Sequence, residues 1–403
     1  MRLAMFGKIC FTLFFSLLIA RPVPAQIHSG PFHSVLGVQT NDPLAQLGLS
    51  VEDLKREKAD NPIHFLGISS FLNDSQAVVT TTIDDSSHLV PDCIDALDRY
   101  GVKATIAIST QRKPILELWP RLRQAIDNGH EIASHSRRHQ CRWPDSQAFC
   151  RQAYSQNEIL GSRNDILANT QQLYVWSWVY PCGNCAQYEF IHTRLSQAGY
   201  LVARNYPDEA NGGVLVPNLQ TWALDPYNAA FTQVVQKKGG IAPAGRTDVL
   251  DLNSKFDTVY ENHGIYHFVS HPAWLDYGAS NFYEQHLSHL SDRHDVWYVP
   301  LGPLYAFQVL TENTVISPIQ DVKNSQRWAI YNDLDPQIYD QSITLEFRIP
   351  AQRPVMISSG GFPLRKRKKE QLVDEWDAEY YKREGDKTLI TLHPNTILEI
   401  QLQ

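Results

Sequence analysis

From residue 76 to about residue 308, short runs of β-branched and apolar residues alternate with amphipathic helical stretches. That alternation restricts the chain to repeated β-α units around a parallel sheet or barrel. The pattern predicts strands over Ala77–Ile83, Ala104–Ile108, Glu131–Ser134, 174–180, 201–203, 220–223, 265–269 and 296–299. Helices are expected over 91–100, 119–128, 147–172 and 281–293, the second ending at Gly129 as a helix should. Beyond residue 309 the helical period gives way to apolar-polar alternation, as in 343–349 and 388–392, with Pro- and Gly-rich turns between. A small antiparallel β domain over 309–403 follows from that change of period. It could bind carbohydrate or simply cover the barrel. Its tryptophan Trp376 sits in a charged stretch, a poor basis for a binding platform.

The first 25 residues have their own logic. Arg2 and Lys8 precede an apolar stretch over 9–20, and Val23-Pro24-Ala25 forms a small-residue exit. This predicts a cleavable secretory signal, hence a secreted or periplasmic protein, because the stretch is shorter than the roughly 20 residues a bilayer span needs. An uncleaved anchor is the alternative. No later segment is apolar enough to span, so stable membrane insertion is not expected. Residues 26–75 form an N-terminal leader expected to pack on the barrel at 76–308.

Without residues 1–25 the chain carries 33 Lys and Arg against 43 Asp and Glu. A nucleic-acid partner is excluded as an expectation, because phosphate binding wants a basic surface. The one basic run, 365–369, is followed at once by acidic residues and reads as a solvated loop. Five cysteines lie outside the signal. Cys141 with Cys150 and Cys182 with Cys185 are plausible disulfides, leaving Cys93 as a buried thiol; other pairings stay open, as do a redox or zinc role for Cys182 and Cys185.

In β-α architectures functional side chains collect at the C-terminal ends of the strands. The first predicted strand leaves as Thr82-Ile83-Asp84-Asp85-Ser86, with Asp85 or Ser86 also suited to capping the next helix. The third leaves as Ser134-His135-Ser136-Arg137-Arg138-His139, and the seventh as Val269-Ser270-His271-Pro272. One carboxylate and two imidazoles suffice to hold Zn²⁺ or a similar divalent ion with a position left for water. A second carboxylate and a third imidazole then remain for acid-base work, a set suited to hydrolysing an acyl bond.

These segments resemble the polysaccharide deacetylases, the NodB-homology or carbohydrate esterase family 4 enzymes, over roughly residues 76–308. Thr81-Thr82-Ile83-Asp84-Asp85-Ser86 is similar to the family's Thr-Phe-Asp-Asp-Gly. The stretch 101–106 is similar to its Gly-x-x-Ala-Thr-Phe, and 129–139 matches Gly-His-Glu-x-x-x-His-Ser/Thr-x-x-His closely. The resemblance implies a distorted, incomplete (β/α) barrel. It also implies a secreted, metal-dependent hydrolase of amide bonds, with zinc as the expected ion, that deacetylates an acetylated polysaccharide through a metal-bound water. In its terms Asp84 is the general base, Asp85, His135 and His139 hold the metal, and His271 is the general acid. Asp225, in Thr221-Trp222-Ala223-Leu224-Asp225, is the carboxylate that supports His271, or else simply opens a turn before Pro226.

One departure is conspicuous. The family's Arg-x-Pro-x-Gly appears as Val179-Tyr180-Pro181-Cys182-Gly183, without its arginine. Arg204 or Arg137 could take its place. Two alternatives remain: an O-acetyl esterase with the same residues, and a non-catalytic glycan-binding protein that keeps the fold. No substrate-binding residue is named by the sequence.

Overall fold

The structure, a computed structural model, describes residues 36–39, 41–54, 62–205, 233–234, 249–322, 325–367 and 379–403. The secretory signal expected at 1–25, the strand expected at 220–223, Asp225 and Trp376 lie outside these residues.

Strands β2 (Ala77–Ile83), β3 (Ala104–Ile108) and β4 (Glu131–Ser134) have every residue buried. Only a sheet covered on both faces produces such unbroken burial, which is why these strands read as continuous rather than alternating runs. With β5 (Ser177–Val179), β6 (Val202–Arg204), β7 (Gln233–Val234) and β8 (Ile265–Ser270) they make one parallel sheet in the order β6-β5-β4-β3-β2-β8-β7. Strand β9 (Val296–Tyr298) pairs beside the start of β2. The sheet is therefore an open barrel whose strands all run the same way. Helices Val90–Arg99 and Lys113–Asp127 bury one face each against it, through Ile94, Leu97, Ile115 and Leu122.

The helix expected over 147–172 is two, Gln147–Ala153 and Gln156–Asn169. Ser155, extended and preceding Gln156, starts the second. In the second helix a Cβ at Gly161 would lie 2.7 Å from the Arg137 guanidinium carbon, so any larger residue there would displace that side chain.

The C-terminal region holds two five-stranded sheets. One runs β10 (Val315–Val322), β11 (Ser325–Tyr331), β18 (Thr396–Leu402), β13 (Val355–Ser359) and β14 (Phe362–Pro363). The other contains β12 (Ile343–Arg348), β17 (Lys387–Leu392), β16 (Tyr380–Glu384) and β15 (Arg365–Lys366), and its far edge is β1 (His64–Ile68). The leader, expected to pack on the barrel, shares a core with it through Phe71, Leu72 and Val78, and also adds a strand to the C-terminal sheet: β1 pairs antiparallel with β12, and Phe65 meets Phe347 at 5.4 Å between ring centroids. The buried helix Leu301–Asn313 links the two regions, extending past the expected boundary at residue 308. Val78, Ile265 and Trp297 from the barrel share one core with Trp328, Phe347 and Leu398.

Two buried histidines are folded in neutral form. The Ala104 N–H donates to His130 Nδ1 at 3.0 Å, so Nε2 carries the proton and donates to Asp98 at 2.9 Å. Burial pushes His130 below its usual value, and pushes His286 down to about 3. Both depressed values lie below the unfolded pKa of about 6.5. Their contribution to stability is therefore full above about pH 6.5 and drains away as pH falls below it. The thermal midpoint should drop by several degrees between pH 7 and pH 5, and less steeply in His286→Asn. Parallel curves for the two proteins would clear His286 of the effect.

Candidate active site

Three strands of the parallel sheet deliver chemical groups to the same edge. β2 ends at Ile83 and releases Asp84 and Asp85, β4 ends at Ser134 and releases His135, and β8 ends at Ser270 and releases His271. Ile83 is in register with Ser270, and the Asp84 N–H donates to the Ser270 carbonyl at 2.8 Å, which sets His271 beside the paired carboxylates. Neither Asp85 nor Ser86 caps the following helix: its N-cap is Leu89, and the Ser86 hydroxyl instead accepts from the Ser109 N–H at 2.8 Å.

Asp85, His135 and His139 converge. Asp85 Oδ1 lies 2.9 Å from His139 Nε2 and 3.6 Å from His135 Nε2. His135 Nδ1 donates to the Val179 carbonyl at 2.9 Å, which fixes the tautomer and leaves the Nε2 lone pair facing the site. Asp85 Oδ1 is buried yet engaged in no hydrogen bond of acceptable geometry. Three acceptors crowded together with one of them orphaned are a poor hydrogen-bonded cluster and a good ligand set for a divalent cation. Asp85, Ser136 and His139 all have left-handed backbones, at φ 74°, 64° and 56°. Such conformations cost about 1–3 kcal/mol each in non-glycine residues, and they cluster where function demands a particular aim. Ser86, where the family has glycine, is not among the residues with positive φ. Glu158, fully buried, holds the turn by accepting from the N–H groups of Arg137 and Arg138 at 3.0 and 3.1 Å.

The arginine question is answered by β6. Arg204, the last residue of that strand, is completely buried, and its Nη2 donates to Asp84 Oδ2. Val179, at the position where the family carries arginine, is the in-register neighbour of Arg204 on the adjacent strand. Paired residues of neighbouring parallel strands point to the same face, so a guanidinium moved one strand over still reaches the same carboxylate. Arg137 goes elsewhere: it forks onto Asp165 with contacts of 2.8 and 2.6 Å.

Burial pushes the Asp84 carboxyl up, but Arg204 and the nearby imidazoles outweigh it and hold the group below the usual carboxylate range. Asp85 is drawn down the same way, its contacts with His135 and His139 overcoming burial. Burial pushes His271 down, against the pull of Asp84 and Asp85. Its ring is stacked on Trp274 at 3.7 Å between centroids, 29° from parallel. Asp84 Oδ1, facing away from Arg204, is buried and accepts no hydrogen bond among the described residues.

Residues 72–203 match the family model described as polysaccharide deacetylase. Over that third of the chain it is similar to the polysaccharide deacetylases. The matched span includes Asp84, Asp85, His135 and His139 and stops just short of Arg204; His271 lies beyond it. No curated protein matches the chain. Among solved structures, a polysaccharide deacetylase from Bacillus cereus is 12% identical, covering 56% of this chain and 92% of its own, with a TM-score of 0.36. The family 4 carbohydrate esterase from Streptomyces lividans, in complex with acetate, is 15% identical over 54% of this chain and 88% of its own, with a TM-score of 0.31. A CE4 family pseudoenzyme from Bacillus anthracis is 14% identical over 52% and 58%, at 0.30. With TM-scores this low, none of the three assigns a role to any residue here.

The parallel-sheet region is braced by two disulfides that differ from the expected pairs. Cys141 is joined to Cys182 and Cys150 to Cys185, with Cα separations of 6.0 and 5.7 Å. Both bridges tie the segment after β4 to the segment after β5. Pairing by nearness in sequence failed because adjacent strand exits are closer neighbours than the chain order suggests. Cys93 is a buried free thiol, pushed up to about 12 by burial. Sequence reasoning did not single out Trp143, which is 70% exposed on the segment between Cys141 and Cys150, because exposure is invisible in the sequence.

Proposed function

We propose that the protein is an exported, metal-dependent deacetylase that hydrolyses N-acetyl groups of a glycan. The observation that supports this best is the division of labour within Asp84: one oxygen is committed to Arg204, and the other is left open beside the Asp85–His135–His139 cluster. Asp85, His135 and His139 would hold the ion, for which zinc suits the donor set. A divalent ion there supplies Lewis acidity toward water and the acyl carbonyl.

This chain's own residues do the rest. Asp84 takes up a proton on Oδ1 as general base, and Arg204 keeps the carboxylate ionised and aimed. His271, its ring stacked on Trp274, delivers a proton to the departing amine nitrogen. Asp225 is the proposed support for His271. Two disulfides between strand-exit segments suit an oxidising compartment, in keeping with export. Among the described residues, no helix is long and apolar enough to cross a membrane. The non-catalytic reading drew on the missing arginine at position 179, and the contact between Arg204 and Asp84 removes that motive.

The test is acetate release from the chitin hexamer and from acetylated xylan, in the presence of zinc and after chelation. Zinc-dependent release from the hexamer is expected. Release from xylan alone would make the protein an O-acetyl esterase, and release from neither would overturn the deacetylase reading.

A further inference from the structure

We propose that Trp143 is a sugar-stacking platform, a binding subsite for a pyranose unit of the glycan next to the one being deacetylated. The proposal rests on the glycan-deacetylase reading above. Trp143 lies four residues past His139, within about 14 Å of it even if the chain were fully extended. It stands at the same sheet edge as the carboxylates and imidazoles.

Residues 141–144 are all exposed, so no core holds this stretch in place. It is fixed by other means. Cys141 and Cys150 bracket Trp143 and bind it to the exit of β5. Between them the Arg142 N–H donates to Asn184 Oδ1 at 2.9 Å, and Asp145 accepts from the Cys185 N–H at 2.6 Å. Segments this exposed are ordinarily mobile. Here covalent bridges hold the backbone on either side of an indole that buries little of itself, and no other tryptophan among the described residues is exposed to that degree.

A solvent-facing indole on a braced backbone offers a large apolar face with negative charge density over the ring. The C–H face of a pyranose is apolar and edged with slight positive charge, so the two surfaces match. Ordering the platform before the ligand arrives removes an entropic cost from binding.

The test compares Trp143→Ala and Trp143→Phe with the parent protein on the chitin hexamer and on 4-nitrophenyl acetate, whose single small acyl group cannot reach a neighbouring subsite. Trp143→Ala should raise KM for the hexamer about tenfold, with kcat and ester turnover within about twofold of the parent, and Trp143→Phe should recover part of the loss. An unchanged hexamer KM, or an equal loss on the ester, overturns the proposal. Electrophoresis through gels containing glycol chitin or acetylated xylan separates this from the catalytic question. Retardation of the parent but not of Trp143→Ala supports the platform even if no acetate is released, and a parent retarded in neither gel overturns it.

Discussion

Replacing Arg204 with methionine should lower kcat/KM on an acetylated oligosaccharide by about 10²–10³ at neutral pH, with partial recovery as pH is raised. The sign follows from the two influences on Asp84. Burial raises its pKa, and the charge of Arg204 is foremost among those that bring it below the usual range. Without the guanidinium, burial dominates, the carboxyl holds its proton to higher pH, and the base is out of action near pH 7. The acid limb of the pH-rate profile therefore moves upward. Arg204→Lys, which keeps a positive charge, should retain more activity and shift the limb less. Because removing one partner of a buried ion pair costs about 3–5 kcal/mol, thermal unfolding of both variants is measured alongside. A methionine variant that is folded and keeps the parent profile would show that Asp84 does not depend on Arg204.

The second large effect is expected from the His135→Ala, His139→Ala double variant. It leaves Asp85 as the sole member of the cluster, and one carboxylate does not hold zinc against water. Acetate release should fall at least about 10³-fold. A readout independent of turnover accompanies it: zinc at about 100 times its dissociation constant stabilises the parent by about 2.7 kcal/mol, which appears as a rise in thermal midpoint, and the double variant should show none. Equal zinc content in the two proteins would place the ion elsewhere.

What could be seen in the sequence, and what could not, divides along a physical line. β2, β3 and β4 are legible to the residue because each is a continuous buried run closed by a polar exit. The exits of β2, β4 and β8 carry Asp84, Asp85, His135 and His271, so the candidate site is legible wherever a strand end marks it. The features that escaped are long-range pairings. Nothing within residues 64–68 says that their partner is Arg348 to Leu345, nothing in Cys141 chooses Cys182 over Cys150, and nothing in Arg204 announces that it lies beside Val179. The broken helix near Tyr154 is a local miss of a different kind, where an apolar pattern ran through a serine start signal.

The pairing of β1 with β12 places an early segment of the polypeptide against a late one. During synthesis that early strand waits, its hydrogen-bonding edge open, until almost the whole chain has emerged. Sequence-distant closure of this kind makes assembly slow and exposes apolar surface to aggregation meanwhile. Under the export proposed above the delay is useful: a molecule that cannot finish folding on the ribosome is still loose enough to pass a translocase.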